Sequence, residues 1–157
     1  MATIEERLTA LNITLPDSAP PVVSGYTPVF APYVISGSLV SISGRLAKKD
    51  GAVWSGKLGD NVTVREGQEA ARGVAIELLA TLRDAAGTLD RVKQIVRLMV
   101  LVNGTNEFTE PHAVANGASE LFVQLFGEQG RHARTAMTAA QLPFGACVEI
   151  EMLAELS

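Results

Sequence analysis

Residues 64–86 carry small and apolar side chains at a helical spacing. The recurring positions are Ala71, Val74, Ala75, Leu78, Leu82 and Ala86. Thr63 and Glu66 precede or open this stretch with the spacing of a capping box, and Gly87 follows it where a C-terminal cap belongs. The pattern predicts a long amphipathic helix over residues 64–86.

Two further helices are predicted from their terminal residues. Thr3 and Glu6 repeat the capping-box spacing, which indicates a short helix over residues 3–12. Pro111 suits a first helical turn, and Gly127 ends a second amphipathic pattern that begins after it. The apolar residues of that pattern are Val114, Ala118, Leu121, Phe122 and Leu125.

Strand-like segments alternate with these helices. Residues 33–46 hold two β-rich runs on either side of Ser36–Gly37–Ser38, which predicts a hairpin. Residues 92–104 form an apolar run typical of a central strand, and two more strands are predicted over about 134–142 and 146–156. In the last strand the apolar residues alternate with glutamates, so that each set shares one face. The apolar set is Val148, Ile150, Met152, Ala154 and Leu156, and the acidic set is Glu149, Glu151 and Glu155.

The order strand, strand, helix, strand, helix, strand, strand predicts an α+β fold, in which a mixed β-sheet carries two helices on one face. Five prolines between residues 16 and 32 indicate an extended lead-in. We therefore predict an N-terminal helix and lead-in over residues 1–24 and a single domain over 25–157. Strands 33–46 and 92–104 are apolar on both faces, and two helices can cover only one. We expect the other face to associate in a homo-oligomer with closed cyclic symmetry.

Charge and composition narrow the partners and the compartment. The 157-residue chain has a formal net charge of −4, and its largest basic group is Arg131–His132–Arg134, so nucleic acid is disfavoured as a partner. Cys147 is the only cysteine, which excludes an intrachain disulfide. Residues 1–12 include charged side chains where a signal peptide would be apolar, and no apolar run reaches the length of a membrane span. We expect a cytoplasmic protein with no membrane partner.

Five motifs then occur in one order along residues 25–156. They are Ala-Pro-Tyr-Val at 31–34, Ile-Ser-Gly-Arg-Leu at 42–46, the strand from Val92, the helix segment 114–127, and the register of Arg134 with Leu142–Pro143 and Glu149–Glu151. Together they resemble the RidA/YjgF family, also known as the L-PSP endoribonuclease-like proteins. The chain is similar to a longer branch of that family, with an added N-terminal segment.

The resemblance implies a chorismate-mutase-like fold and a homotrimer whose sites lie in clefts between subunits. It also implies hydrolysis of reactive 2-iminoacids, or their enamine tautomers, to 2-oxoacids and ammonia, with no metal and no organic cofactor. Arg134 matches the family's carboxylate-binding arginine, and Glu149 matches its water-positioning glutamate. The positions that match other residues of the same cleft are Tyr33, Gly44, Asn116 and Ala136, the last through its backbone N–H because the family's usual cysteine is absent.

Arginine suits this task because its planar guanidinium binds a carboxylate through two parallel hydrogen bonds, and a bound carboxylate fixes the imine carbon for attack by water. Each residue also has a simpler interpretation. Arg134 could be a solvated strand residue or part of an intersubunit ion pair, and Glu149 could belong to a wet acidic edge. Tyr33 could be a packing residue, and Asn116 an ordinary polar helix residue. Histidines 112 and 132 have no acidic neighbours at metal-ligand spacing.

Three functions remain open from the sequence. The first is an imine and enamine deaminase that acts on a small carboxylate-bearing metabolite. The second is an endoribonuclease or translation inhibitor, which the acidic charge opposes. The third is a trimer in which Arg134 binds a carboxylate metabolite without turnover.

Overall fold

The computed structural model describes residues 1–19 and 25–157. Two prolines of the predicted lead-in, Pro20 and Pro21, lie outside the described residues. The described parts of the lead-in contain no helix or strand between the first helix and Tyr33.

The three helices begin where their caps predict. They are α1 (Ile4–Ala10), α2 (Val64–Ala86) and α3 (Pro111–Phe126). In both capping boxes the threonine side chain accepts from the backbone N–H of a glutamate three residues on, and that glutamate's side chain accepts from the threonine N–H. The capping threonines are Thr3 for α1 and Thr63 for α2. The predicted bounds of the long helix are therefore confirmed.

A five-stranded mixed sheet forms the second layer. Its strands follow the spatial order β1-β2-β7-β5-β6, where β5 and β6 are parallel and every other pair is antiparallel. The strands are β1 (Tyr33–Ser36), β2 (Leu39–Leu46), β5 (Val92–Asn103), β6 (Ala133–Ala139) and β7 (Val148–Leu156). A separate two-stranded ribbon is formed by β3 (Lys48–Lys49) and β4 (Ala52–Val53). The predicted hairpin is confirmed, with Gly37 and Ser38 at its turn.

The strand predicted over 134–142 ends earlier, at Ala139. Among residues 1–19 and 25–157 it pairs with β5 alone, and the ladder stops where Ala139 lies opposite Asn103, the last residue of β5. The residues after Ala139 lie beyond the end of β5 and have no strand of the described part of the chain beside them, and the chain turns towards Pro143 instead.

One face of the sheet packs against the helices, and the core lies between these two layers. The helix-facing residues of β7 and β5, such as Ile150 and Leu98, are fully buried together with Leu78 of α2 and Phe122 of α3. The short helix α1 adds to the same layer through buried Ile4 and Leu8. The α+β architecture of a mixed sheet with helices on one face is thus confirmed. None of the helices in the described part of the chain is long and apolar enough to cross a membrane.

The opposite face of the sheet is open within one chain. Val34 is 57% exposed, Leu39 40% and Met137 47%, and Leu101 and Leu153 are half-buried beside them. Cross-strand pairing places Val34 beside Ser41, and Leu101 between Met137 and Glu149, so these side chains share this face. A patch of this kind is typical of an association surface.

Candidate active site

Arg134 lies on the edge strand β6 and points towards the helices. It pairs with Leu98, whose side chain is buried under the helical layer, and paired residues of neighbouring strands share a face. Its Nη1 donates to Oδ1 of Asn116 at 2.8 Å and to Oγ of Ser119 at 3.1 Å, and its Nη2 donates to the carbonyl oxygen of His112 at 3.3 Å. Three acceptors on a single helix therefore fix the plane of the guanidinium.

All three acceptors of Arg134 are neutral. None of the ion pairs among residues 1–19 and 25–157 involves Arg134. The guanidinium is half-buried, held in place and not neutralised by a carboxylate in the described part of the chain. Such a guanidinium suits an anionic ligand, because the side chain is already oriented before the ligand binds.

Ser119 and His132 form a small network behind the guanidinium. Oγ of Ser119 lies 2.9 Å from Nε2 of His132, and Nδ1 of the same ring lies 2.7 Å from the carbonyl oxygen of Gly130. The carbonyl can only accept, so Nδ1 carries the proton and Nε2 of the neutral ring accepts from the Ser119 hydroxyl. Burial lowers the pKa of His132, and the positive charge of Arg134 lowers it further, against the opposing effect of the Gly130 hydrogen bond. The neutral ring leaves the Ser119 oxygen free to accept from Arg134.

Sequence patterns alone did not indicate this network. Ser119 lies three residues after Asn116, so both side chains leave the same side of α3. That spacing is the sequence feature that points to Ser119. It does not point to His132, which reaches Ser119 because β6 runs beside α3. The three side chains Ser119, His132 and Arg134 line an open cleft of about 490 Å³ together with Arg131.

Glu149 lies on the other face of the sheet. It pairs with Leu101 of β5 and Leu46 of β2, and its neighbours Val148 and Ile150 point into the core. Burial raises the pKa of Glu149, and the nearby charge of Glu151 raises it further. The half-buried carboxyl group is therefore a stronger base than an exposed glutamate.

Gly44 makes room for this carboxyl group. A Cβ atom at Gly44 would lie 2.5 Å from Oε1 of Glu149, which is closer than two such atoms can approach. Gly44 sits where the register between β2 and β7 shifts, between Ile42 and Arg45. The absent side chain thus allows the carboxyl group to lie across the neighbouring strand. A cavity of about 380 Å³ adjoins both residues.

The predicted site residues fall into two groups within one chain. Arg134 and Asn116 are hydrogen-bonded, and Ala136 lies two residues further along the same face of β6. Gly44 and Glu149 are in contact on the opposite side of the sheet. Tyr33 joins neither group; it is half-buried against the core, opposite Ile42 of β2. Arg134 and Glu149 of the same chain therefore do not face a common space.

No group of three or more His, Cys, Asp or Glu side chains suited to a metal ion occurs in residues 1–19 and 25–157. Cys147 is fully buried, and burial raises the pKa of its thiol to about 11. The guanidinium of Arg134 and the carboxyl group of Glu149 each adjoin a cavity with room for a ligand. Glu120 and Arg131 also line the cleft beside Arg134.

A mixed sheet with helices on one face is the architecture of a chorismate-mutase-like α+β protein. The chain belongs to the YjgF family, whose profile, described as "YjgF/chorismate mutase-like, putative endoribonuclease", matches residues 5–156. This match confirms the resemblance seen in the sequence and extends it over nearly the whole chain.

Relatives match the chain along its length. Protein TCP17 of Trypanosoma cruzi is 46% identical over 156 residues, which cover 98% of this chain and 94% of that protein. Protein Atu1372 of Agrobacterium tumefaciens, a crystal structure of unknown function, is 38% identical in sequence and superposes with a TM-score of 0.87. The match covers 99% of this chain and 94% of Atu1372. A "putative endoribonuclease" of Shewanella oneidensis is 35% identical with a TM-score of 0.88 and covers 99% and 100% of the two chains.

Proposed function

We propose that this protein hydrolyses 2-iminoacids, or their enamine tautomers, to 2-oxoacids and ammonia. The observation that carries the proposal is the guanidinium of Arg134, which is fixed by three neutral acceptors and not paired with a carboxylate in the described part of the chain. A 2-iminoacid presents a planar carboxylate next to its C=N bond, and the arginine fork matches that group.

Glu149 supplies the base in this mechanism. As a water oxygen attacks the imine carbon, Glu149 accepts a proton from it, and the electrons of the C=N bond move to nitrogen, which takes that proton up. The resulting amino alcohol passes its hydroxyl proton through Glu149 to the nitrogen. The C–N bond then breaks, ammonia leaves and the carbonyl group forms. The reaction consumes only water, because the imine carbon is already electrophilic.

The site needs two copies of the chain, and we propose that it is completed in a homotrimer. Arg134 and Glu149 lie on opposite faces of one sheet, so one molecule cannot offer both to the same substrate. Arg134 lies on the edge strand, where another copy can reach it, and Glu149 lies on the open apolar face, which an oligomer would cover. Each cleft would combine Arg134 of one chain with Glu149 of its neighbour.

The direct test follows 2-oxobutanoate release from freshly generated 2-iminobutanoate, above the uncatalysed rate. We expect Arg134→Ala to lower kcat/KM about 100-fold, because two charge-assisted hydrogen bonds are lost. Arg134→Lys should retain part of the activity, since lysine keeps the charge without the fork. Arg65→Ala is the matched control, because Arg65 is an exposed arginine on α2. A folded wild-type oligomer that leaves the rate unchanged would refute the proposal.

Two other activities can be tested with the same protein and the same Arg134→Ala variant. The family description and the Shewanella relative suggest RNA cleavage, which the net charge of −4 opposes. If the wild type cleaved RNA and Arg134→Ala did not, an endoribonuclease would be the better description of this protein than a deaminase. Tight 2-oxoacid binding without imine hydrolysis would instead identify a carboxylate-binding protein.

A further inference from the structure

The cavity beside Glu149 has aromatic walls. Its lining includes Tyr26, Phe30 and Phe144, with Gly44 and Glu149 contributing the part nearest the proposed chemistry. The volume of about 380 Å³ is in the range of small-molecule pockets. This cavity is separate from the cleft beside Arg134, with which it shares no lining residue.

The aromatic residues of this cavity are unusually exposed. The chain has only eight aromatic residues, namely one Trp, two Tyr and five Phe. Tyr26 is 49% exposed, Phe30 57% and Phe144 47%, and these are the aromatic side chains among the exposed large apolar residues of the described chain. Three exposed rings that line one cavity contribute little to the core. Their position is better explained by contact with a bound ligand.

Two of the rings already contact each other in an arrangement that can be extended. The centroids of Tyr26 and Phe144 are 5.7 Å apart, with an interplanar angle of 69°. This is an edge-to-face pair, the geometry that aromatic rings prefer. A third flat ring entering the cavity could pack against the same surfaces and against Phe30.

The backbone holds Phe144 in a costly conformation. Its φ is 57°, in the left-handed region that bulky side chains rarely adopt. The turn is fixed from outside: Oγ of Ser55 donates to the Phe144 carbonyl at 3.1 Å, and the N–H of Gly56 donates to the Gly145 carbonyl at 3.0 Å. Strained residues of this kind are concentrated at ligand sites. Here the strain presents an aromatic ring to a cavity instead of burying it.

Among the described residues, the basic residue on the cavity wall is Arg45, and its side chain faces the helices. There Nη2 donates to the hydroxyl group of Thr81 and to the carbonyl group of Ser18, both at 2.8 Å, and Nη1 is buried without a hydrogen-bond partner in the described part of the chain, so neither nitrogen is directed to a ligand in the cavity. The carboxyl group of Glu149 is the acidic group on the wall. The cavity is therefore suited to an uncharged group, and the carboxylate of the same ligand must be bound elsewhere.

We propose that this cavity binds the side chain of the substrate and that the preferred substrates are 2-iminoacids with an aryl side chain, such as 3-phenyl-2-iminopropanoate. The inference rests on the function proposed above, because the same molecule would place its carboxylate on Arg134 of a neighbouring chain and its imine carbon beside Glu149. Water converts this substrate to 3-phenyl-2-oxopropanoate and ammonia by the steps already given.

The test compares binding of two products, 3-phenyl-2-oxopropanoate and 2-oxobutanoate, by calorimetry on the full-length protein. We expect the aryl acid to bind at least about 10-fold more tightly. Phe30→Ala and Phe144→Gly should each remove most of that preference by weakening the binding of the aryl acid more than that of 2-oxobutanoate; glycine suits the positive φ, so the turn keeps its shape. Val29→Ala is the control, because Val29 is 97% exposed and does not line the cavity.

Equal affinity for the two acids, or an equal loss for both in Phe30→Ala and Phe144→Gly, would overturn the assignment of the cavity. Hydrolysis of the corresponding imines distinguishes a failure of the cavity assignment from a failure of the proposed function. Turnover of 2-iminobutanoate without an aryl preference would refute the aryl inference alone. An aryl preference in binding with no turnover of either imine would refute the deaminase and retain the cavity assignment. Failure of both acids to bind at millimolar concentration would contradict the assignment of the cavity, while the rate of imine hydrolysis would still decide the deaminase.

Discussion

At Gly44, the absence of a side chain determines where the carboxyl group of Glu149 can lie. We predict that Gly44→Ala lowers kcat about 10- to 100-fold, since the added Cβ would stand 2.5 Å from Oε1 of Glu149 and must displace the carboxyl group that we propose as the base. KM should change little, because in the proposed mechanism Arg134, and not Glu149, binds the carboxylate. Steady-state kinetics on 2-iminobutanoate measure both constants.

The control for this substitution is Gly73→Ala, which adds the same methyl group where, outside the adjoining turns of α2, no atom of the described chain lies within 4 Å. A Gly44→Ala enzyme with an unchanged kcat would show that the position of the Glu149 carboxyl group does not limit the reaction.

The environment of Glu149 also affects stability. Its pKa is raised above the ordinary value, first by burial and then by Glu151, so the folded state binds the proton more tightly than the unfolded state. This contribution to stability is fully present below the ordinary pKa and is lost as the pH rises through the raised pKa. We therefore predict that Glu149→Gln increases Tm by about 1–3 °C at pH 8.

Thermal unfolding at pH 8 and at pH 4 would measure this difference. The increase should shrink at pH 4, where Glu149 of the wild type is protonated in the folded protein. A variant that is less stable at pH 8, or a difference that does not depend on pH, would contradict the predicted desolvation of the carboxylate. The same variant should lose hydrolysis, because glutamine cannot accept the proton.

At the scale of the helices, close packing of α2 against α3 depends on one glycine. A Cβ at Gly117 would overlap the backbone carbonyl group of Gln68. We predict that Gly117→Ala lowers the free energy of unfolding by about 1–3 kcal/mol. Gly73→Ala, on an exposed turn of α2, should raise it by about 0.5–1 kcal/mol, since alanine favours the helix. Denaturant titrations at one protein concentration would compare the two, and equal effects would contradict the packing argument.

The helices were predictable where their signals are local. The capping box at Thr63 and the glycine at 87 lie within a few residues of the ends they define, and α2 has the predicted bounds. The end of β6 was not predictable, because the length of β5 decides it. Gly117 reads in the sequence as a weak helix former, and only the neighbouring helix gives it a packing role.

The candidate site was predictable in a similar, partial way. Arg134, Asn116 and Glu149 follow from the order of family motifs along the chain. Ser119 and His132 do not, because their hydrogen bond joins α3 to the start of β6 across thirteen residues. The aryl cavity is also a tertiary feature, since Phe30 and Phe144 are brought together from distant parts of the chain.

At the scale of the whole molecule, one sheet separates the two proposed catalytic groups. Arg134 points to the helical side at the edge strand, and Glu149 points to the open face, where Val34, Leu39 and Met137 leave apolar surface exposed. Association through that face would cover the apolar surface and bring the two groups together from different chains. Each active site would therefore be shared between neighbouring copies.

The most direct measurement mixes two inactive variants, Arg134→Ala and Glu149→Gln, by co-expression and follows 2-iminobutanoate hydrolysis. In a cyclic oligomer with shared sites, random mixing gives about one quarter of the clefts an intact arginine from one chain and an intact glutamate from its neighbour. We predict recovery of about a quarter of wild-type activity, against about a hundredth or less in either variant alone. Mixed oligomers that remain inactive while wild type is active would contradict the shared site.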